Sequence, residues 1–174
     1  MRGSFLRGLV LLSIALAPTG CGYKLAGRNQ FLPPEVKLIA VPPFTNNTRR
    51  PEIEQRITEA VTATFIRRGG YRTTANEQNA DAVLKGQVTG YDVTPVSVGA
   101  DGRANRYEVV ITAAVEMQQL PGGGVLYRSQ HYVFKRQYDV VGGAANIFDQ
   151  ELVAIEDIAE DFAESVVTSI LEGF

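Results

Sequence analysis

The chain has 174 residues, of which 45% are hydrophobic, and a formal charge of −2. That length allows one domain with a sizeable core, and the acidic balance argues against a dedicated nucleic-acid binder, which is usually basic. One cysteine and one histidine exclude an internal disulfide and leave no zinc ligand set.

Arg2 and Arg7 precede an apolar run, Leu9 to Ala17, broken only by Ser13. The run is too short to span a bilayer as a stable helix, so residues 1–20 read as a secretion signal. Its removal leaves 15 basic against 19 acidic side chains, a charge of −4. Small residues then lead to the cysteine in Pro18-Thr19-Gly20-Cys21-Gly22. This ending resembles a bacterial lipoprotein signal, whose cysteine is acylated and becomes the mature N-terminus. Pro18 stands where such signals usually carry leucine. The alternative is an ordinary cleaved signal with an incidental cysteine. Gly22 is not the aspartate associated with inner-membrane retention, which points to an outer-membrane anchor.

Residues 21–35 read as a tether, punctuated by Gly22, Gly27, Asn29, Pro33 and Pro34. Residues 36–174 form a single domain. Its first strand is expected over Val36 to Val41. Leu38 to Pro42 are apolar without alternation, which suits a central strand covered on both faces. Pro42 and Pro43 lack backbone donors and end the pairing. Thr45 to Thr48 are turn and cap residues.

A first helix is expected from Pro51 to Arg68, with Ile53, Ile57, Ala60, Val61 and Thr64 on one stripe. Gly69 and Gly70 end it as a left-handed cap. A phosphate loop would need a following lysine and serine or threonine, which are absent. Three strands come next, over 82–93, 107–117 and 125–138. In the middle one, Tyr107, Val109, Ile111, Ala113, Val115 and Met117 share a face, with Glu108, Thr112 and Glu116 on the other, mixed with Val110 and Ala114. Pro95 to Asn105 is expected as a polar loop and Leu120 to Gly124 as a turn. The three strands should form an antiparallel meander.

The last element is a helix over 147–171. Phe148, Leu152, Ile155, Ala159, Phe162, Val166 and Ile170 recur at spacings of four and three. Asp149, Glu156, Asp157, Glu160, Asp161 and Glu164 lie mostly opposite and read as a solvated face. The competing reading, metal ligands, lacks a histidine or cysteine to join them. The fold class is therefore α+β, with two helices packed on one face of a roughly four-stranded mixed or antiparallel sheet. The other face, with Lys85, Gln87, Thr89, Glu108, Thr112 and Glu116, stays polar and is open to water or a partner. Neither Cys21 nor His131 has a nucleophile or base to work with, and no hydrolase or metalloprotease motif is present. An enzyme is not expected, nor is a cofactor.

With these elements placed, the chain resembles the LptE family of lipopolysaccharide-assembly lipoproteins. The resemblance rests on Cys21-Gly22-Tyr23-Lys24-Leu25 and on Ile39-Ala40-Val41-Pro42-Pro43-Phe44-Thr45-Asn46-Asn47-Thr48. Pro51, Glu54, Thr58 and Ala60 follow, then Ala80-Asp81-Ala82-Val83-Leu84-Lys85-Gly86 and Tyr107-Glu108-Val109-Val110-Ile111. It covers nearly the whole mature chain. The family implies a small lipoprotein anchored at the outer membrane by Cys21. It would sit inside the lumen of the LptD barrel, help that barrel assemble and help deliver lipopolysaccharide to the outer leaflet. The corner from Val41 to Thr48 also resembles lipoproteins that activate cell-wall synthases or line secretion channels, which keeps a second class open.

One further expectation concerns lipopolysaccharide. If Leu120 to Gly124 is the turn, pairing brings Tyr107 near Arg136 and Glu108 near Lys135. Arg103, Arg106, Lys135 and Arg136 then gather at one end of the sheet. Arginine binds phosphate in bidentate fashion and lysine as a point charge, so this end is a candidate for lipid A phosphates. The alternative is cross-strand ion pairing with Glu108 and Asp92, or plain solvation.

Overall fold

The computed structural model describes residues 32–140 and 146–173. The expected signal, Cys21 and most of the tether lie outside the described residues. Eight elements follow in order: β1 (Leu38–Ala40), β2 (Thr45–Asn46), α1 (Ile53–Gly69), β3 (Arg72–Thr74), β4 (Ala82–Val98), β5 (Ala104–Gln119), β6 (Val125–Asp139) and α2 (Ile147–Glu172).

The strands form one mixed sheet in the order β3-β1-β4-β5-β6, with β2 pairing β4 beside β1. β1 lies parallel to both β3 and β4, and β2 is parallel to β4. β4, β5 and β6 form the expected antiparallel meander. The sheet thus has six strands rather than about four. The two additions, β2 and β3, are two and three residues long. Pieces that short carry no readable alternation, and only their distant partners make them strands. β1 is central as expected, with Ile39 and Ala40 fully buried, and its ladder stops before Pro42.

The expected loop from Pro95 to Asn105 is mostly strand. β4 continues to Val98 and β5 starts at Ala104, with Pro95 opposite Tyr107. Among the described residues β4 has no partner on its other flank there, so a missing N–H costs no ladder bond.

Asn46 organises the corner before α1. Its amide donates to the Arg50 carbonyl and the Glu54 carboxylate, both at 2.7 Å, and its oxygen accepts the Thr48 N–H at 2.8 Å. These bonds draw the loop past Pro51. Glu52 takes a left-handed conformation (φ 66°), and α1 begins at Ile53 instead of Pro51. Gly70, also left-handed, closes α1.

Both helices pack on one face of the sheet. Phe162 of α2 sits at the centre. Its ring lies edge-on to Phe44 at 6.1 Å and to Tyr132 and Phe134 at 5.6 Å each. Phe44 in turn rests on Gly86 of β4, where a Cβ would fall 2.0 Å from its ring. The helices run parallel. Arg56 pairs with Glu156, and further along both helices Arg67 and Arg68 pair with Glu164. Part of the acidic face of α2 is therefore an ion-pair row rather than simply solvated.

α2 departs from expectation in its first turns. Phe148 is 67% exposed, while Glu151 is buried beside Ala154 and Ile155. From Ile155 onward the expected stripe holds. The buried carboxylate is held by polar partners described below, which hydropathy alone does not reveal.

Candidate functional site

The helix-free face of the sheet is mostly polar, with Val110, Ala114 and Val133 set among its polar residues. Lys85 and Gln87 project from β4, Glu108, Thr112 and Glu116 from β5, and Arg128 from β6. On β4 and β5 these alternate with buried neighbours on the helix side, such as Leu84, Val109, Ile111, Ala113, Val115 and Met117. This is the face expected from the alternation of β5. Glu116 accepts a bond from Arg128 Nε at 2.6 Å and another from the Gln118 amide. These bonds, the Arg128 one first, hold its carboxyl below the usual range. Lys85 pairs with Glu77 at 2.9 Å. A shallow groove of about 610 Å³ runs between Thr45, Lys85, Gln87, Glu116, Arg128 and Gln130. It offers amides, hydroxyls and both signs of charge, and no nucleophile–base pair. Among the described residues no group of side chains could hold a metal ion, and no helix is long and apolar enough to cross a membrane.

The four basic residues singled out from sequence fall at the expected end but not on one face. Arg103 is exposed in the turn between β4 and β5. Arg106 binds Asp139 across the β5–β6 pair, with Nε to Oδ1 at 2.6 Å and Nη2 to Oδ2 at 3.2 Å. Lys135 stands opposite Val110, on the polar face. Arg136 stands opposite the buried Val109 and so faces the helices, where it pairs with Asp161 at 2.6 Å and Asp157 at 3.6 Å. Among the described residues Arg103 and Lys135 have no ion-pair partner.

The expected pairing needs correction here. Tyr107 faces Tyr138, and Glu108 faces Gln137, so the register is displaced by two residues. The turn itself gives the expected start, Gln118 opposite Val125. Two irregularities, between Ala113 and Val115 and between Met117 and Gln118, each admit one extra residue of β6. The expected cross-strand ion pairs with Glu108 and Asp92 are replaced by Arg106–Asp139 and by Arg136 with the α2 carboxylates.

A second polar group is one the expectations from sequence did not include. Glu151 of α2 is buried and accepts a bond from the Tyr91 hydroxyl of β4, and Arg50 Nε lies 3.3 Å away. Tyr138 is buried nearby, and its hydroxyl has no hydrogen-bond partner among the described residues. Burial first, then the bond to Glu151, pushes the Tyr91 phenol well up. Burial and the neighbouring Glu151 charge push Tyr138 up to about 12. The group joins three distant segments, the Asn46–Arg50 loop, β4 and α2. Its sequence signal is Glu151 four residues before Ile155, in phase with the apolar stripe.

Comparison with known proteins follows the same lines. A family model described as "LptE: Lipopolysaccharide-assembly" matches residues 36–170. No curated protein sequence matches the chain. Among solved structures, the chain is similar to uncharacterized lipoprotein B from Nitrosomonas europaea (TM-score 0.57, 14% identity, 87% of this chain and 92% of that one). It is similar to rare lipoprotein B from Shewanella oneidensis (TM-score 0.51, 13% identity, 78% and 95%). It is also similar to a PelC dodecamer from Paraburkholderia phytofirmans (TM-score 0.52, 19% identity, 78% and 89%). At these identities the structural likenesses carry the fold alone.

Proposed function

The chain belongs to the LptE lipopolysaccharide-assembly family, and from that premise we propose that it is a non-enzymatic lipoprotein partner of an LptD-like outer-membrane barrel. In this reading residues 1–20 are a cleaved signal, Cys21 carries the lipid anchor, and residues 36–174 form one domain. The domain sits in the barrel lumen, assists barrel assembly and helps lipopolysaccharide reach the outer leaflet. The observation that carries the reading is the polar, helix-free face of β4, β5 and β6. Barrel interiors are polar, and this face supplies matching hydrogen-bonding and charged groups. A tag on the mature chain, pulled from detergent-solubilised outer membrane, should bring a large barrel with it. Recovery of a soluble synthase in its place would overturn the proposal. Intact mass of the purified protein checks the anchor, since an unmodified Cys21 would remove it.

A second reading, assembly into a secretion-channel ring, draws on the likeness to a PelC dodecamer. A ring of many copies without a barrel in the same pull-down would favour it.

We further propose that the basic end meets the phosphates of lipopolysaccharide. Arg103 and Lys135 supply the charge, because Arg106 and Arg136 are already paired. Replacing Arg103, Arg106, Lys135 and Arg136 with glutamine or serine should weaken lipopolysaccharide binding with barrel association retained. Most of the loss should follow Arg103 and Lys135 alone. Binding that survives all four changes would reject the site.

A further inference from the structure

Different forces hold the two parts of α2 to the rest of the fold. From Ile155 on, apolar packing dominates: Ile155, Ile158, Phe162, Val166 and Ile170 are fully buried. Ion pairs clamp the same stretch from both sides, Glu156 and Glu164 to α1, and Asp157 and Asp161 to Arg136 of β6. The first two turns, residues 147–154, are built otherwise. Phe148 and Val153 are 67% and 57% exposed, and Glu151 and Ala154 are the two buried side chains. What ties these turns down is the Glu151 carboxylate, which accepts from the Tyr91 hydroxyl and lies 3.3 Å from Arg50 Nε.

That polar group is incompletely satisfied. Arg50 Nε and the Tyr138 hydroxyl are buried without a hydrogen-bond partner among the described residues. A buried charge pair gains little net stability, because both partners lose water, and each unbonded donor adds a further cost. Burial of apolar surface carries no such offset. The first turns are therefore held more weakly than the remainder of the same helix.

We infer that the first two turns of α2 are a lid, latched by Glu151, that opens while the rest of the helix stays in place. In the open form residues 147–154 unwind from the sheet as a local unit, and Ile155 onward remains packed and clamped. The boundary falls where the second set of ion pairs begins, at Glu156. Opening bares Tyr91 of β4 and Tyr138 of β6, on the helix side of the sheet. It costs little, for two reasons. Phe148 and Val153 are exposed already, so their apolar surface is not stripped a second time. Glu151 and Arg50 regain water as they part, which offsets the lost attraction. Position 151 lies four residues before Ile155, in phase with the buried stripe, where an apolar side chain would fix the turns to the sheet. A carboxylate there replaces a permanent contact with a releasable one.

Hydrogen exchange in the native full-length chain tests the lid. Amides from Glu151 to Ala154 should exchange roughly 100-fold faster than those from Ile158 to Val167. Plain fraying of a helix end gives the same contrast, so two variants separate it from a latch. Tyr91→Phe leaves the carboxylate short of a donor. Exchange from Glu151 to Ala154 should then rise roughly tenfold or more, with Ile158 to Val167 unchanged. Replacing the whole group, with Arg50→Met, Tyr91→Phe and Glu151→Leu together, exchanges polar for apolar contact and should slow the same four amides roughly tenfold or more. Equal protection along the helix would overturn the inference. So would no response to Tyr91→Phe, a response spread evenly over α2, or faster exchange of the four amides in the triple variant.

Discussion

Two residues show how a single side chain fixes neighbouring backbone. Asp81 precedes β4, and its carboxylate accepts the N–H groups of Lys37 and Leu38 at 2.9 and 2.8 Å. Its own N–H donates to the Leu38 carbonyl, and its carbonyl accepts from Leu120. It thus aligns the start of β1 with β4 and with the β5–β6 turn. The bond from Leu38 and then that from Lys37 hold its carboxyl below the ordinary 3.8. A depressed carboxyl stabilises the fold above its unfolded pKa, and that contribution is lost as pH falls through the folded value. Asp81→Ala should therefore lower the melting temperature at neutral pH. It should change it less at pH values below the folded pKa, and melts across an acid series check this. Gly86 acts by having no side chain. Phe44 occupies the space a methyl would need, so Gly86→Ala forces the ring out of its place between Gly86 and Phe162. Overpacking of this kind costs about 1–3 kcal/mol or more, readable by urea denaturation.

Elements were legible in proportion to their length and regularity. Eleven residues of β5 alternate cleanly over 107–117, and their buried face agrees from Val109 to Met117. β2 and β3 could not be read, because their identity lies in their partners. The extension of β4 past Pro95 was hidden by a residue that usually ends strands. Arg103, Arg106, Lys135 and Arg136 lie toward one end of the sheet. The face each residue takes depended on two extra residues in β6, which no pattern announces. α2 shows the same limit, since its stripe holds from Ile155 but its first turns follow Glu151 and its polar partners. The buried part of that helix yields a direct prediction. Phe162 is 1% exposed and touches three other rings, so Phe162→Ala should cost about 3–5 kcal/mol. Against a typical total of roughly 5–15 kcal/mol, this should lower the melting temperature sharply. An unchanged transition would show that α2 is not packed as described.

At the scale of the molecule, the sheet is covered unevenly. Thr94 to Val98 of β4 are all exposed, and two register irregularities fall among them. With no second partner beside this stretch among the described residues, its opening disturbs little of the core. Amide hydrogen exchange should be fast at Thr94, Val96, Ser97 and Val98 and in Ala104 to Arg106. It should be slow from Val109 to Met117. Uniform protection along β4 and β5 would contradict this picture.

The order of the elements has a consequence for how such a chain comes into being. Synthesis delivers the N-terminal end first. The central strand β1, together with α1 and the meander, is complete before α2 has appeared. α2 carries Phe162 and much of the buried core, Ile155, Ile158, Val166 and Ile170 among it. The parallel ion-pair row between Arg56 and Glu156 joins positions 100 residues apart. Until α2 has been made, α1 is the one helix among the described residues available to cover the sheet. The nascent protein must pass through an interval with part of its apolar sheet face uncovered, when shielding by another protein matters most.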